Sequence, residues 1–389
     1  MSRVRFLPTI LAKWMVHLAF SLCKMFFSVN SKKVTFASYR EEELTGNLAF
    51  IYEEFKSQGP DFSYSFLFKK LNTTKFGKFD YFLHMLKASY HLATSRFFII
   101  DDYYFPVYAV RPRKGTDIVQ LWHAAGAFKK FGLSTVNKSF GPSADYLKHI
   151  KVHSNYSKAF VSSTEVVPFY AEAFDMPKER IVPLGVPRTD YFFDTVAHQQ
   201  LRESFYKKYP KLKGKKLILY APTFRGKSHY QDGFDLPLDI KTMNDTLGAE
   251  YALLIHLHPY MQGDVEIPEG AHEFACHIHN SFDIQELLVL SDLLLTDYSS
   301  VIFDYSLLCR PIAFIATDLE EYKQERDFYF PFESFIPGPF FTKTVELAGW
   351  IREGQFDDER VIAFRNRFFD FHDGRSSYRI VKHLIGNTK

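Results

Sequence analysis

Apolar and polar positions change period repeatedly along the chain, so that short β-rich runs alternate with stretches of helical spacing. KKVTFASY (32–39) reads as a strand, followed by a turn and a helix around Asn47–Gln58. Further strands are predicted at Tyr64–Phe68, Arg96–Ile100 and Asp117–Trp122, with helical or loop material between them. Interval 146–187 repeats the theme with a strand near Ala159–Ser162, a helix through Glu165–Ala173, then RIVPLGVP. This alternation is the signature of parallel βαβ units, because parallel neighbours need a crossover between them.

The style breaks at Pro187-Arg188-Thr189-Asp190-Tyr191, after which the charged helical segment HQQLRESFYKKYPKLKGKK leads to a fresh strand, KLILYAP (216–222). A second βα series follows: YALLIHLHP (251–259), HEFACHIH (272–279), the helix DIQELLVLS (283–291), LLLTDYSS (293–300), the helix VIFDYSLLC (301–309) and PIAFIAT (311–317). No fixed-period repeat or low-complexity tract interrupts it. The expected organisation is a leading segment over 1–30, an α/β domain over 31–190 and a second over 191–389, with a cleft between the domains as the default ligand site.

The leading segment has its own pattern. Leu7, Leu11, Trp14, Met15, Leu18, Leu22 and Phe26 recur at helical spacing, with Lys13, His17, Ser21 and Lys24 opposite. A membrane span needs ~20 uninterrupted apolar residues, and the run between Lys13 and Lys24 is too short. Ala19-Phe20-Ser21 meets the small-x-small rule of a cleaved signal, but Lys13 and His17 interrupt the apolar run that should precede it. An amphipathic helix lying in a membrane interface fits best, the alternative being an ordinary helix packed on the domain. Seven basic residues, from Arg3 to Arg40, precede the first acid, Glu41, which favours an anionic bilayer.

Composition narrows the classes. With 46% hydrophobic and 24% charged residues over 389 positions, the chain is neither disordered nor polytopic. A net charge of +3 is too near neutral for a nucleic-acid binder. Cys23, Cys276 and Cys309 are an odd, unpatterned set that supports neither a disulfide framework nor a zinc site, so a reducing, cytosolic location is expected. Aromatics are the outlier at 17%, which implies aromatic cores or a surface meeting something greasy.

Candidate chemistry gathers at predicted strand ends. Asp297-Tyr298-Ser299-Ser300 turn an apolar strand into a helix, so Ser299 and Ser300 sit where backbone N–H groups and the helix dipole favour phosphate; simple capping by Ser299 is the alternative. His123 ends VQLW before a Gly- and Lys-containing loop, and His258 ends LLIHLH. Both occupy C-terminal strand ends, where α/β ligands bind, and imidazole suits general-base work. His256 shares a sheet face with His258, but only His258 is expected to reach the strand terminus. In LILYAPTFRG, Thr223 and Arg225 offer a hydroxyl and a guanidinium for phosphate oxygens, and Lys129-Lys130 could neutralise an anion or face water. Walker A, GxGxxG, HExxH, GxSxG and DxD patterns are absent, and no cofactor or metal is implied. The adjacent acids Asp101-Asp102 and Asp357-Asp358 read as solvated turns.

Taken together, WHAAGAFKKFG (122–132), ILYAPTFRG (218–226), HLHP (256–259), TDYSSVIFDYSLLCRPIAFIATDLEEY (296–322) and PGPFFTKTVEL (337–347) resemble the CDP-glycerol glycerophosphotransferase family of wall teichoic acid synthesis, and DGRSSYR (373–379) extends the likeness. The resemblance implies two Rossmann-like domains in a GT-B-like arrangement and a peripheral enzyme on the cytoplasmic face of the membrane. It implies CDP-glycerol as donor, a polyprenyl-diphosphate-linked acceptor and release of CMP. Carried over by motif, His123 is the base on the acceptor hydroxyl, and His258 contacts the donor diphosphate. Ser299 and Ser300 match the donor-phosphate serines, with Asp297, Thr223 and Arg225 expected to bind substrate beside them. Many polymerising members read WHGTPLKK where this chain has WHAAGAFKK. The Ala-rich loop looks more like the primase branch, which adds the first glycerol phosphate to a ManNAc-GlcNAc lipid. A chain-extending polymerase and a nucleotide-sugar glycosyltransferase of the same architecture are the other readings.

Overall fold

The apolar runs RFFII and YALLI become strands that end just before Asp101 and His256. In the computed structural model, which describes residues 6–59, 61–70, 74–138, 140–224, 231–232, 236–258, 261–262, 265–279 and 281–386, the chain divides into two units. Met1–Asp190 and Phe369–Lys389 form the first, Tyr191–Phe368 the second. The C-terminal stretch expected in the second domain therefore belongs to the first. Its helix Ser376–Gly386 supplies Ile380, Val381 and Leu384 to a core of Val34, Phe36, Phe55, Phe97 and Val119. The Asp190 carboxylate accepts the N–H groups of Ser376 (2.7 Å) and Ser377 (2.8 Å), satisfying donors that a helix start otherwise leaves open. Gly185, at φ +106°, lets the chain pass Ser376, where a Cβ would lie 2.3 Å from its hydroxyl oxygen.

In the first unit, β1 (Asn30–Ser38), β2 (Ser63–Phe68), β3 (Ser95–Ile100), β4 (Asp117–Gln120), β5 (Lys158–Phe160) and β6 (Ile181–Val182) form one parallel sheet in the order β2-β1-β3-β4-β5-β6. The second unit holds β7 (Lys216–Tyr220), a short β8 (Gln231–Asp232), β9 (Tyr251–Ile255), a short β10 (Met261–Gln262), β11 (Ala275–His277), β12 (Leu293–Thr296), β13 (Ile312–Ile315) and β14 (Phe340–Phe341). Its main sheet, also parallel, has the order β11-β9-β7-β12-β13-β14, with β8 and β10 paired separately. Covered on both faces, the central strands bury every residue, as in YALLI and LLLT. Counted within the unit, this is the doubly wound order 3-2-1-4-5-6, and the first unit follows 2-1-3-4-5-6. In each, strand order reverses beside the first strand, and ligands bind at the carboxyl ends flanking that reversal.

The N-terminal helix Leu7–Phe26 packs on the helix Lys75–Thr94 through Val16 and Phe20, with the Ser89 hydroxyl donating to the Val16 carbonyl at 3.2 Å. On the packed side Lys13 Nζ also donates to the His149 carbonyl at 2.6 Å, while Ser21 and Lys24 are exposed. Leu7, Leu11, Trp14, Leu18, Leu22 and Phe26 point outward, Trp14 being 63% exposed and Phe26 72%. A surface helix normally buries its apolar stripe, so this second, exposed apolar face stands out. By length and composition the helix could also cross a bilayer.

Candidate active site

At the reversal point of the second sheet, β7 and β12 end side by side and are pinned there. Thr296 Oγ1 donates to the Ala221 carbonyl (2.7 Å), and Asp297 Oδ1 accepts both Thr223 N–H (2.8 Å) and Tyr298 N–H (2.5 Å). Asp297, expected at the substrate, is 1% exposed and clamps the two loops. Beside this clamp opens a cavity of about 440 Å³ lined by Ala221, Pro222, His256, His258, Phe282, Asp283, Ile284, Ser299 and Val301. The volume is within the range of small-molecule sites, and apolar walls with a few convergent polar groups are their usual lining.

Because β9 stops at Ile255, both His256 and His258 lie beyond the strand and both reach the cavity, a correction to the expectation that only His258 would. Burial lowers the His256 pKa, opposed by its hydrogen bond to Ile278, and its Nδ1 lies 3.1 Å from that carbonyl. With Nδ1 set against a carbonyl, Nε2 is the nitrogen of His256 left for the cavity. His258 rests against the Phe224 ring, with centroids 5.8 Å apart. Ser299 lines the cavity, and its hydroxyl oxygen accepts Val301 N–H at 3.4 Å, a weak cap on the short helix Val301–Ser306. Ser300 is exposed at the helix start and makes no side-chain cap. Thr223 is held by its backbone at the edge of this loop, and Arg225 lies outside the described residues.

The first unit builds a second constellation at its own reversal point. Trp122, 3% exposed and at φ 54°, takes the left-handed conformation, held by Asn47 Nδ2 donating to its carbonyl (2.7 Å) and by its N–H donating to Gln120 Oε1 (2.8 Å). Such backbone strain in a non-glycine residue needs surrounding support. Tyr103, Phe131, His153 and Phe174 box the indole in. The turn delivers His123, 44% exposed at its side chain, with Nδ1 3.2 Å from Asp102 Oδ2. Arg40, just past β1, reaches the same oxygen at 2.7 Å. Asp102 is thus buried and Asp101 half-buried rather than solvated, a correction whose cause is the neighbouring β1 and β4 ends. Burial works to raise the pKa of Asp102, but the His123 and Arg40 charges and hydrogen bonds outweigh it and hold it low. Burial and the Asp102 charge push Asp101 up to about 7, against a hydrogen bond from Ser38.

Lys129 and Lys130 are half-buried in the loop after His123, whose backbone is tied by Ser162 to the Ala125 carbonyl and by Tyr170 OH to the Ala124 carbonyl (2.9 Å). The sequence reading named Arg40, Asp102 and His256 but assigned none of them to a site. The signal existed, since Asp101-Asp102 follow the apolar run RFFII just as His123 follows VQLW. Among the described residues no group of three or more His, Cys, Asp or Glu is placed to hold a metal ion.

Two parallel α/β units, each with titratable side chains at the reversal point of its sheet, define an α/β enzyme. The chain belongs to the CDP-glycerol:poly(glycerophosphate) glycerophosphotransferase family, whose model matches residues 18–386. It is 46% identical over 364 residues to a teichoic acid ribitol-phosphate primase of Bacillus spizizenii, covering 93% of each chain. Identity to a teichoic acid glycerol-phosphate primase of the same organism is lower, 35% over 258 residues, covering 66% of this chain and 65% of that one. The fold resembles that of the wall teichoic acid polymerase TagF, with a TM-score of 0.76 at 22% identity over 100% of this chain and 97% of the other. The protein is accordingly a transferase of teichoic acid synthesis that moves polyol phosphate.

Proposed function

We propose that the protein primes a teichoic acid by moving one polyol phosphate from a CDP-activated donor to a polyprenyl-diphosphate-linked acceptor, releasing CMP. The observation that carries this reading is the cavity at the β7–β12 reversal, where His256, His258 and Ser299 converge on an apolar slot large enough for a nucleotide. The donor diphosphate meets His258 and Ser299, and Phe282, Ile284 and Val301 supply apolar walls. His123 accepts the acceptor hydroxyl proton. The acceptor oxygen bonds to the phosphorus bearing the polyol as the bond to CMP breaks, and the electron pair leaves with CMP. The motif reading names CDP-glycerol and a ManNAc-GlcNAc lipid. A second reading, CDP-ribitol as donor, is favoured by the higher identity to a ribitol-phosphate primase.

Mass analysis of product from a defined lipid acceptor with CDP-glycerol or CDP-ribitol tests both. One added unit from a single donor is expected. A ladder of products would make the protein a chain-extending enzyme, and product from UDP-sugars alone would replace the reading altogether.

The outward apolar face of Leu7–Phe26, with Lys24 and the basic residues around it, supports peripheral attachment at the cytoplasmic membrane face, where a lipid-linked acceptor is met. Leu11→Glu with Leu18→Glu, both on that face, is expected to weaken sedimentation with anionic vesicles at least about tenfold while leaving Tm unchanged. Unaltered vesicle binding would remove this attachment from the proposal.

A further inference from the structure

His123 is held from both ends by one residue. The Asp102 side chain meets its ring, with Oδ2 3.2 Å from Nδ1, while the Asp102 carbonyl accepts Gln120 Nε2 at 3.0 Å. Gln120 Oε1 in turn accepts the N–H of Trp122, the residue that turns His123 outward, at 2.8 Å. The remaining oxygen of Asp102, Oδ1, accepts Tyr103 N–H at 2.6 Å, so rotation of the carboxylate is blocked. Asp102 is 2% exposed and Gln120 fully buried, so water does not compete for these bonds. A base whose second nitrogen is engaged by a carboxylate has its tautomer and ring orientation fixed.

We propose that Asp102 is the positioning residue of the transfer reaction: it holds the Nδ1–H of His123 so that Nε2 faces the acceptor hydroxyl, while Arg40, sharing the same oxygen, limits how far the carboxylate stabilises the imidazolium. This rests on the assignment of His123 as the base. The proton passes from the acceptor hydroxyl to Nε2 and later to solvent, and Asp102 stays ionised throughout. The charged and titratable groups around the ring are Arg40 and Glu41 beyond β1, Asp101, Asp102 and Tyr103 beyond β3, His153, and Arg188, whose Nη2 donates to the His123 carbonyl at 3.3 Å. Arg40 and Asp102 carry opposite charges beside the His123 ring, with Arg40 at 2.7 Å and His123 Nδ1 at 3.2 Å from the same Asp102 oxygen.

The test compares pH profiles of kcat, from CMP release, and CMP affinity for D102N, R40Q and H123A. D102N is expected to lower kcat by about 100-fold or more, with CMP affinity within about twofold of wild type and the acidic limb displaced to lower pH. R40Q is expected to displace that limb to higher pH, a pair of opposite shifts that loss of packing does not produce. Wild-type kcat and limb in D102N, with H123A inactive, would overturn the positioning role and leave the base assignment standing. Turnover by H123A would overturn both. If D102N does not fold, R40Q decides, since Arg40 is 36% exposed at its side chain: an alkaline shift supports the proposal and an unmoved limb overturns it.

Discussion

Replacing His123 by alanine is expected to lower kcat by about 10²–10⁴, the usual contribution of a positioned general base, with donor affinity retained. The separation follows from how the fold distributes the work. The cavity assigned to the donor is lined by Ala221, Pro222, His256, His258, Phe282, Asp283, Ile284, Ser299 and Val301, all in the second unit. His123 follows β4 in the first unit, so deleting its imidazole removes no wall of that cavity. Stability should change little, because the side chain is 44% exposed and the tight turn is held by Trp122, Asn47 and Gln120 instead. Isothermal titration with CMP and steady-state CMP release check the two halves. Near-normal turnover would remove His123 from the mechanism, and a parallel loss of CMP affinity would mean that it acts in donor binding.

His258→Ala is expected to have the second largest effect, and of the opposite kind. A hydrogen bond to a charged group contributes about 1.5–3 kcal/mol, so donor affinity should fall about 10- to 150-fold, with kcat falling as well if the contact strengthens on departing CMP. Ser299→Ala should cost less, about fivefold in donor affinity, since a neutral hydroxyl bond contributes about 1 kcal/mol. Ser300→Ala should cost less still, as Ser300 lies outside the cavity lining. An unchanged Kd for donor in His258→Ala would dissolve the phosphate cradle, whatever His123 does. Asp297→Ala tells a different story, because its carboxylate ties the Thr223 and Tyr298 backbones while buried. Its removal should lower stability together with affinity, where His258→Ala lowers affinity alone.

Much of this arrangement was legible along the chain for a local reason. A parallel strand covered on both faces must be an uninterrupted apolar run, and the residue that ends the run is placed where ligands bind. VQLW followed by His123, LLIHLH, and LLLT followed by Asp297 therefore announced their positions without knowledge of the partners. Boundaries were less secure where conformation, not polarity, ended the element. The strand predicted to Trp122 stops at Gln120 because Trp122 is left-handed, and the helix predicted to Cys309 stops at Ser306, with Cys309 at φ 52°. The pair Asp101-Asp102 was misread because adjacent acids after a strand are, taken locally, a solvated turn. Only neighbours brought in by the sheet bury Asp102 and half-bury Asp101.

The sequence by itself determined the two βα series, the histidines and serines at the strand ends, and the motifs that place the chain in its family, since each is written in residues adjacent along the chain. The tertiary structure decided what no local window contains. Arg40, Asp102 and His123 follow three different strands, and their meeting depends on the order β1-β3-β4 in the sheet. The helix Ser376–Gly386 returns to the first core because Ile380, Val381 and Leu384 pack into it and Asp190 supplies its first N–H partners. The N-terminal helix turns Lys13 toward the His149 carbonyl and its leucines outward, a choice that the helical period alone leaves open, because amphipathicity defines two faces but not which of them a neighbour covers.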